Sequence, residues 1–395
     1  MLYYLVRPVA RHVLAYYFRE IDISGLDRIP AGAPVILAAN HPTAFLEPSI
    51  MACFQSRSLH FLARGDLFAN RFVTAVLRGL HMLPVYRIQD GGYGRLTENY
   101  ATFRECYAAL GQRKALMIMA EGRCIHEKRL RGLRKGTARI ALGALDTDAA
   151  IPDVYIVPVG INFTAAARVR SSVYIRCGEP LLASRYLAEY RRNEANGIRA
   201  LTEDLTDALS AHVVQFPDRV TDHLYEAHVR VLRDKDAGAG EADRVGRELA
   251  AVAGCSGEDG SLRYAVRLAQ HGIADRDLVA GQPGFPRAVT PAVILLLPQL
   301  PLWTLAEVIA LRGPKTIEFY SSVRFAAVAI GTLLYLPLLF ILPFWMTAYL
   351  VVSTLLTRWS LERVDDFRRW RGARLAAKLS ADERALLLKM REKLG

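Results

Sequence analysis

Two residues six positions apart carry the first indication of chemistry. His41 follows the apolar run Val35-Ile-Leu-Ala-Ala-Asn40, and Glu47 opens a helical pattern after the short link Pro42-Thr-Ala-Phe-Leu46. The run predicts a buried strand, and the loop at a strand's carboxyl end is where α/β sheets gather functional groups. An acid in the first turn of the next helix can fold back onto the imidazole. It would fix the tautomer and raise the basicity of the ring, leaving the other nitrogen to take a proton from a hydroxyl. A histidine beside an acid is also an ordinary surface hydrogen bond, so this pair alone leaves both readings open.

Other charged groups stand at comparable places. Arg87 follows the stretch Gly79-Leu-His-Met-Leu-Pro-Val-Tyr86, and Met119-Ala-Glu-Gly-Arg123 ends a further apolar run. Read alone, Arg87 is a solvated arginine after a strand. The segment Lys128-Arg-Leu-Arg-Gly-Leu-Arg-Lys-Gly136 is densely basic and leads into a helical pattern. Lys135 and the free N–H groups of that helix start suit phosphate, and a solvated basic loop fits equally well. Cys124 invites a nucleophile reading, but no histidine is placed beside it by motif.

These residues need a frame to hold them. Strands are expected at Ile21–Ser24, Val35–Ala39, Leu59–Ala63, Ala115–Ala120, Val154–Val159 and Val173–Cys177. Helical periodicity is clearest at Glu47–Phe54, Arg71–Leu80, Gly94–Leu110 and Gly136–Leu145. This alternation predicts an α/β fold, a layered central sheet with flanking helices. Beyond it, the composition predicts a helical subdomain and C-terminal membrane helices. The expected organisation is an amphipathic N-terminal helix over 1–18, the α/β domain over 19–182, the helical subdomain over 183–285, a hydrophobic membrane region over 286–357 and a basic helical tail over 358–395.

At the N-terminus, Arg7, Arg11 and His12 interrupt any signal-peptide core, and no small-residue cleavage site follows. That helix either lies on an anionic membrane or packs on the domain. Near the other end, Ala288–Ala306 is uncharged but disturbed by Pro291, Pro298 and Pro301. Phe325–Thr357 is uncharged for 33 residues, beyond the ~20 that one helical crossing needs. It reads as one tilted helix or as a hairpin bent near Pro337 or Pro343. The tail from Arg358 carries 11 Lys or Arg against 6 acids, which favours the cytoplasmic side for it. With the α/β domain also cytoplasmic, the number of crossings would be even.

A formal net charge of +12 suits anionic lipid, phosphorylated substrates or nucleic acid. No helix-turn-helix, RNA-recognition or zinc pattern supports nucleic acid, and the apolar C-terminal third opposes it. Five scattered cysteines without CxxC spacing argue against a disulfide framework and against a metal site.

Taken in order, four segments resemble the blocks of the glycerolipid acyltransferase family, which includes the lysophosphatidate and glycerol-3-phosphate acyltransferases. They are Asn40-His-Pro42, then Leu62-Ala-Arg-Gly-Asp-Leu-Phe68 running on to Gly79–Arg87, then Met119–Arg123, then Ile156-Val-Pro-Val-Gly-Ile-Asn162. The resemblance covers residues 15–180 or so. It implies that His41 is the base for the acceptor hydroxyl, with Glu47 as its acid partner. The family usually has Asp five residues after this histidine; here Leu46 takes that place and Glu47 follows it. Arg87 matches the arginine that holds the acceptor's phosphate, a task suited to a planar, permanent cation. Glu121 and Gly122 match the third block, with Met119-Ala120 in place of its Phe-Pro pair. Arg123 stands one position early as a phosphate ligand, and Lys135-Gly136 matches a Lys-Gly pair that opens a helix. Val157-Pro158-Val159 would shape the acyl-donor site.

The implied reaction is direct transfer of a fatty acyl group from an acyl thioester to a hydroxyl of glycerol-3-phosphate or lysophosphatidate. Acyl-CoA or acyl carrier protein would serve as co-substrate, without metal or other cofactor. Backbone N–H groups around Gly122 would stabilise the oxyanion. The Asn-His-Pro start, the six-residue acid spacing and the long apolar C-terminus lean towards glycerol-3-phosphate. The alternatives are O-acylation of a lyso-aminolipid, such as lyso-ornithine lipid, and a non-catalytic lipid-binding protein on the same fold. The expected location is the membrane, with the catalytic domain on the cytoplasmic face.

Overall fold

The structure, a computed structural model, describes residues 1–394 apart from 87–97, 218–220, 236–243, 256–259, 280, 282 and 336. The chain forms two compact units, Met1–Val213 with Ala306–Ile330, and Val214–Leu305 with Gly331–Gly395.

The first unit is built on one sheet. Its strands are β1 (Glu20–Ser24), β2 (Val35–Ala39), β3 (Leu59–Arg64), β4 (Met82–Val85), β5 (Ala115–Met119), β6 (Tyr155–Phe163), β7 (Ser172–Cys177) and β8 (Leu181–Leu182). Their order is β1-β7-β6-β2-β5-β3-β4, with β8 beside β6. From β6 to β4 the pairings are parallel, while β7 and β8 run antiparallel to β6. Val35 to Ala39 have no exposed surface at all. This is why β2 reads as an unbroken apolar run: a central parallel strand is covered on both faces.

The helices of this unit are α1 (Leu2–Tyr17), α2 (Leu46–Phe54), α3 (Arg71–Gly79), α4 (Glu98–Gly111), α5 (Gly136–Thr147), α6 (Ser184–Arg192) and α7 (Glu194–Ser210). One face of the sheet, with Ile36, Ala38, Leu116, Ile118 and Ile156, packs with Leu110 of α4, Ile140 and Leu142 of α5 and Ile198, Leu201 and Leu205 of α7. The sheet unit therefore runs on to Val213 rather than ending at 182. Its last two helices are amphipathic: α7 buries Ile198, Leu201 and Leu205 in this core, and α6 packs Tyr186, Leu187 and Tyr190 against it, half-buried. The N-terminal helix is packed on the domain through Tyr3, Val13, Leu14 and Tyr17. Tyr3 also stacks on His81, with ring centroids 4.5 Å apart.

The second unit is helical: α8 (Asp222–Lys235), α9 (Arg244–Gly254), α10 (Gly260–Gln270), α11 (Asp275–Val279), α12 (Val289–Leu296), the start of α13 (Leu300–Arg312), the end of α14 (Ile317–Leu334), α15 (Phe344–Leu355), α16 (Thr357–Ala376) and α17 (Ala381–Glu392). Tyr264, Leu268, Leu278, Ala376 and Leu387 form a core there. Beside it, fully buried Asp275 accepts from the Tyr264 hydroxyl at 2.6 Å and from Arg391 Nε at 2.9 Å.

Two helical stretches, Val289–Arg312 and Ile317–Leu334, are long and apolar enough to cross a membrane. The first contains Pro298 and Pro301, which have no N–H for the carbonyls of Ile294 and Leu297. A tightened turn repairs this, with Leu297 N–H donating to Ile294 O and Leu300 N–H to Leu297 O. The Tyr349 hydroxyl adds a second donor to Ile294 O, and the Ser353 hydroxyl reaches Leu295 O at 2.6 Å. Internal satisfaction of this kind is what an apolar solvent demands. The apolar run from Phe325 is not one helix. It breaks after α14 into a 3-10 turn at Pro337–Phe340, and α15 starts after Pro343.

Candidate active site

Strand register brings the separated sequence blocks to one edge. Ala39 of β2 lies beside Met119 of β5 on one side and Val159 of β6 on the other. His41, Glu121 and Ile161 each stand two residues further along, so the first two lie just past the carboxyl ends of β2 and β5, level with Ile161 inside β6. The ladder continues one step as Ala120 N–H donates to Ala39 O at 2.8 Å. On the other side the Asn40 side chain replaces the missing strand: its Nδ2 donates to Ile161 O at 3.0 Å and its Oδ1 accepts from Ile161 N–H at 2.8 Å.

His41 is held by its backbone. Its N–H donates to Glu121 Oε2 at 2.8 Å, and its carbonyl accepts from Ile125 N–H at 3.1 Å and Arg131 Nη2 at 3.4 Å. The ring is 13% exposed, and its Nδ1 lies 3.7 Å from Oε1 of fully buried Glu47. That separation is a contact, longer than a hydrogen bond. Nδ1 has no other protein partner among the described residues. Glu47 sits in the first turn of α2 and is itself oriented, accepting from Thr43 N–H and, at 2.7 Å, from the Thr43 hydroxyl. Glu47 Oε1 is thus the nearest acid to Nδ1 that the described residues bring to the ring.

Glu121, 3% exposed, has both oxygens engaged with the protein. Oε2 takes His41 N–H and the Arg131 guanidinium, and Oε1 takes Arg131 N–H at 2.8 Å. Gly122 adopts φ +72°, and a Cβ there would meet Arg134 Cγ at 2.8 Å. Its N–H donates to Met119 O at 3.0 Å, so that donor is engaged in the turn. Arg123 is exposed, and its carbonyl accepts from Arg131 Nη2 at 2.6 Å. Lys135 is exposed at the N-cap of α5. Arg87 lies outside the described residues. Val157 and Val159 are fully buried within β6. Pro158 falls between the stretches of β6 that pair with β8 and β7, where a missing N–H is tolerated.

Two contributions escape a reading of the blocks. Arg131 ties Glu121 to the carbonyls of His41 and Arg123. The start of α14 also touches the site: Ala44 N–H donates to Glu318 O at 3.0 Å and Phe45 N–H to the Ser322 hydroxyl at 3.1 Å. Cys124 is half-buried, and burial pushes its thiol up, with Glu47 and Glu318 adding to the effect. A thiol held protonated is a poor nucleophile.

Residues 20–162 match the family model described as Acyltransferase. The chain is 25% identical over 142 residues to glycerol-3-phosphate O-acyltransferase 2 of Saccharomyces cerevisiae, a stretch covering 36% of this chain and 19% of that protein. It thus spans about a fifth of that relative's length. It is also similar to the crystal structure of the 1-acyl-sn-glycerophosphate (LPA) acyltransferase PlsC from Thermotoga maritima. The identity there is 16% and the TM-score 0.37, over 52% of this chain and 78% of that one. The matched segment lies within the α/β unit and holds all four ordered blocks, from Asn40-His-Pro42 to Ile156–Asn162.

Proposed function

We propose that the protein transfers a fatty acyl group from an acyl thioester to a hydroxyl of glycerol-3-phosphate, with lysophosphatidate as the second candidate acceptor. The observation that carries this reading is His41, fixed at its backbone at the edge of the sheet with Nδ1 turned to Glu47. Nε2 takes the proton as the acceptor oxygen bonds to the thioester carbon. The tetrahedral intermediate then collapses, the C–S bond breaks, and the thiolate leaves with the proton His41 had taken. Glu47 steadies the imidazolium in between. Glu121 acts by holding His41 and Arg131. Arg123, Lys135 and Arg87 are the cations assigned to the phosphate. With Gly122 N–H engaged, the oxyanion's donors come from elsewhere on this rim. The donor is acyl-CoA or acyl carrier protein, and no cofactor is invoked.

The named yeast relative supports glycerol-3-phosphate over lysophosphatidate. The two long apolar helices support a membrane setting, and the basic tail supports the cytoplasmic face for the catalytic unit. The test uses membranes holding the full chain, a labelled acyl thioester, and glycerol-3-phosphate, lysophosphatidate or lyso-aminolipids in turn. A labelled product from glycerol-3-phosphate, lost by several orders of magnitude in His41→Ala, is the expected result. Transfer to a lyso-aminolipid alone would reassign the acceptor, and acyl transfer undiminished in His41→Ala would remove the base.

A further inference from the structure

The helix α14 lies beyond the segment 20–162 that matches the family, yet its first turns are built into the site. The loop from His41 to the start of α2 has to make a sharp turn, and the first N–H groups of a helix have no partner within it. The N-cap of α2 is Phe45, which has no side-chain acceptor to offer. The first helical N–H, of Leu46, goes to the Thr43 hydroxyl at 3.3 Å, and the two N–H groups before it take acceptors from α14: the Glu318 carbonyl for Ala44 N–H at 3.0 Å and the Ser322 hydroxyl for Phe45 N–H at 3.1 Å. Glu318 Oε1 also accepts His126 N–H at 3.3 Å, on the loop that receives the His41 carbonyl at Ile125. One helix start thus holds both loops that flank the base.

The seat of α14 is fixed separately from those loops. Arg324 is 8% exposed, donates to Ala167 O at 2.7 Å and to the Tyr17 hydroxyl at 3.1 Å, and pairs with Glu307 at 3.0 Å. The Tyr17 hydroxyl in turn donates to Ser321 O at 3.1 Å. A cation and several hydroxyls inside an otherwise apolar helix are costly in lipid and are retained where they meet protein. Ser321 and Ser322 are buried against the catalytic unit, while Ile330 further along is exposed.

We infer that Ser322 and Glu318 are positioning residues for acyl transfer, holding the His41–Glu47 loop and the 125–126 loop in the geometry the base requires. The inference rests on the acyl-transfer reading of the site. Its test uses the full-length protein in detergent micelles, with Ser322→Ala, Glu318→Ala and Glu318→Gln. Ser322→Ala removes the acceptor for Phe45 N–H, and Glu318→Ala that for His126 N–H. Each should lower kcat about tenfold, the effect of one lost hydrogen bond to a reaction-bearing loop. The acceptor's KM should stay within about threefold. Glu318→Gln keeps a carbonyl oxygen facing His126 N–H and should recover most of the rate. Hydrogen exchange supplies a readout free of turnover: peptides covering 43–46 should exchange faster in Ser322→Ala, and those covering 125–127 in Glu318→Ala, with the β2 and β5 peptides unchanged. Unchanged exchange, an increase spread over the whole unit, or a rise in KM at constant kcat would each overturn the assignment. A wild-type protein that acylates no acceptor would sink the acyl-transfer reading, while local exchange would still report on the clamp.

Discussion

Replacing Glu121 separates two jobs that a carboxylate in this place could do. As a phosphate-side ligand it would be felt in the acceptor's KM; as the clamp the geometry describes, it would be felt in kcat. Its two oxygens receive His41 N–H at 2.8 Å, Arg131 N–H at 2.8 Å and the Arg131 guanidinium. Glu121→Ala leaves two part-buried backbone donors without acceptors, at about 1–3 kcal/mol each. It also removes the counter-charge of Arg131, whose side chain is 17% exposed and keeps the carbonyls of His41 and Arg123. That retained solvation and bonding puts the charge contribution well under the ~3–5 kcal/mol of a broken buried pair. A local cost of about 3–5 kcal/mol exceeds the ~2.7 kcal/mol that corresponds to a hundredfold in rate. Because His41 moves with its backbone, a displacement of about 1 Å is enough for a hundredfold loss. Initial rates with labelled acyl thioester and varied acceptor should therefore show kcat down by about 10²–10³ and acceptor KM within about threefold. Glu121→Gln should fall between, since one oxygen remains as acceptor while the amide N–H2 opposes a donor. A KM raised about a hundredfold with kcat preserved would refute the clamp and return Glu121 to the substrate.

Two further outcomes follow from sites remote from the chemistry. Burial, with His81 and Lys114 adding to it, pushes His60 down to about 4 from 6.5. The unfolded chain therefore takes up the proton first, and stability full above 6.5 should fall as pH drops from there towards about 4; urea midpoints across that window should decline, and less steeply in His60→Gln. In the second unit, the Gln299 amide donates to the hydroxyls of Ser353 and Thr354 at 3.1 Å each, joining the helical stretch from Val289 to α15. Gln299→Leu should lower stability in detergent by about 1 kcal/mol, given the modest worth of polar contacts between apolar helices, and an unchanged unfolding midpoint would deny that contact a stabilising role.

Much of the fold was legible because buried parallel strands leave unbroken apolar runs. All six expected strands are present, and the helices after β2, β3 and the 128–136 segment begin within a residue of their sequence positions. Two strands were not legible. β4 is four residues long with Pro84 inside it, and β8 is a two-residue bridge. Both exist because a neighbouring strand supplies the partner, which a local pattern does not contain. The same distinction applies to the site. His41, Glu47 and Glu121 lie on recognisable blocks, but the fold of the basic run does not follow from its charge. Arg131 turns inwards, whereas Arg123 and Lys135 remain exposed. The domain boundary after Val213 was hidden because α6 and α7 show solvent a highly charged face. The role of α14 was hidden by an apolar run that starts beyond Ser321-Ser322, although two serines and an arginine just ahead of such a run are a signal in themselves.

His41, the base of the proposed reaction, is held through its backbone rather than through its ring. Among the described residues the hydrogen bonds of His41 are made by its backbone, the N–H donating to Glu121 and the carbonyl accepting from Ile125 and Arg131, and the preceding Asn40 is anchored on Ile161. The ring's own partner is 3.7 Å away, with Glu47 held by Thr43. A short shift of the ring would bring Nδ1–H into bonding distance of Oε1 without disturbing any of those backbone bonds. The strength of that bond grows as Nε2 gains the proton, because a cation then faces a buried carboxylate. In the proposed reaction the contact would be worth more in the transition state than in the free protein, and a difference of that kind is what accelerates a reaction. The extra methylene of Glu relative to Asp fits this reading. An acid one position late is thereby brought from the first turn of α2 to 3.7 Å from the imidazole.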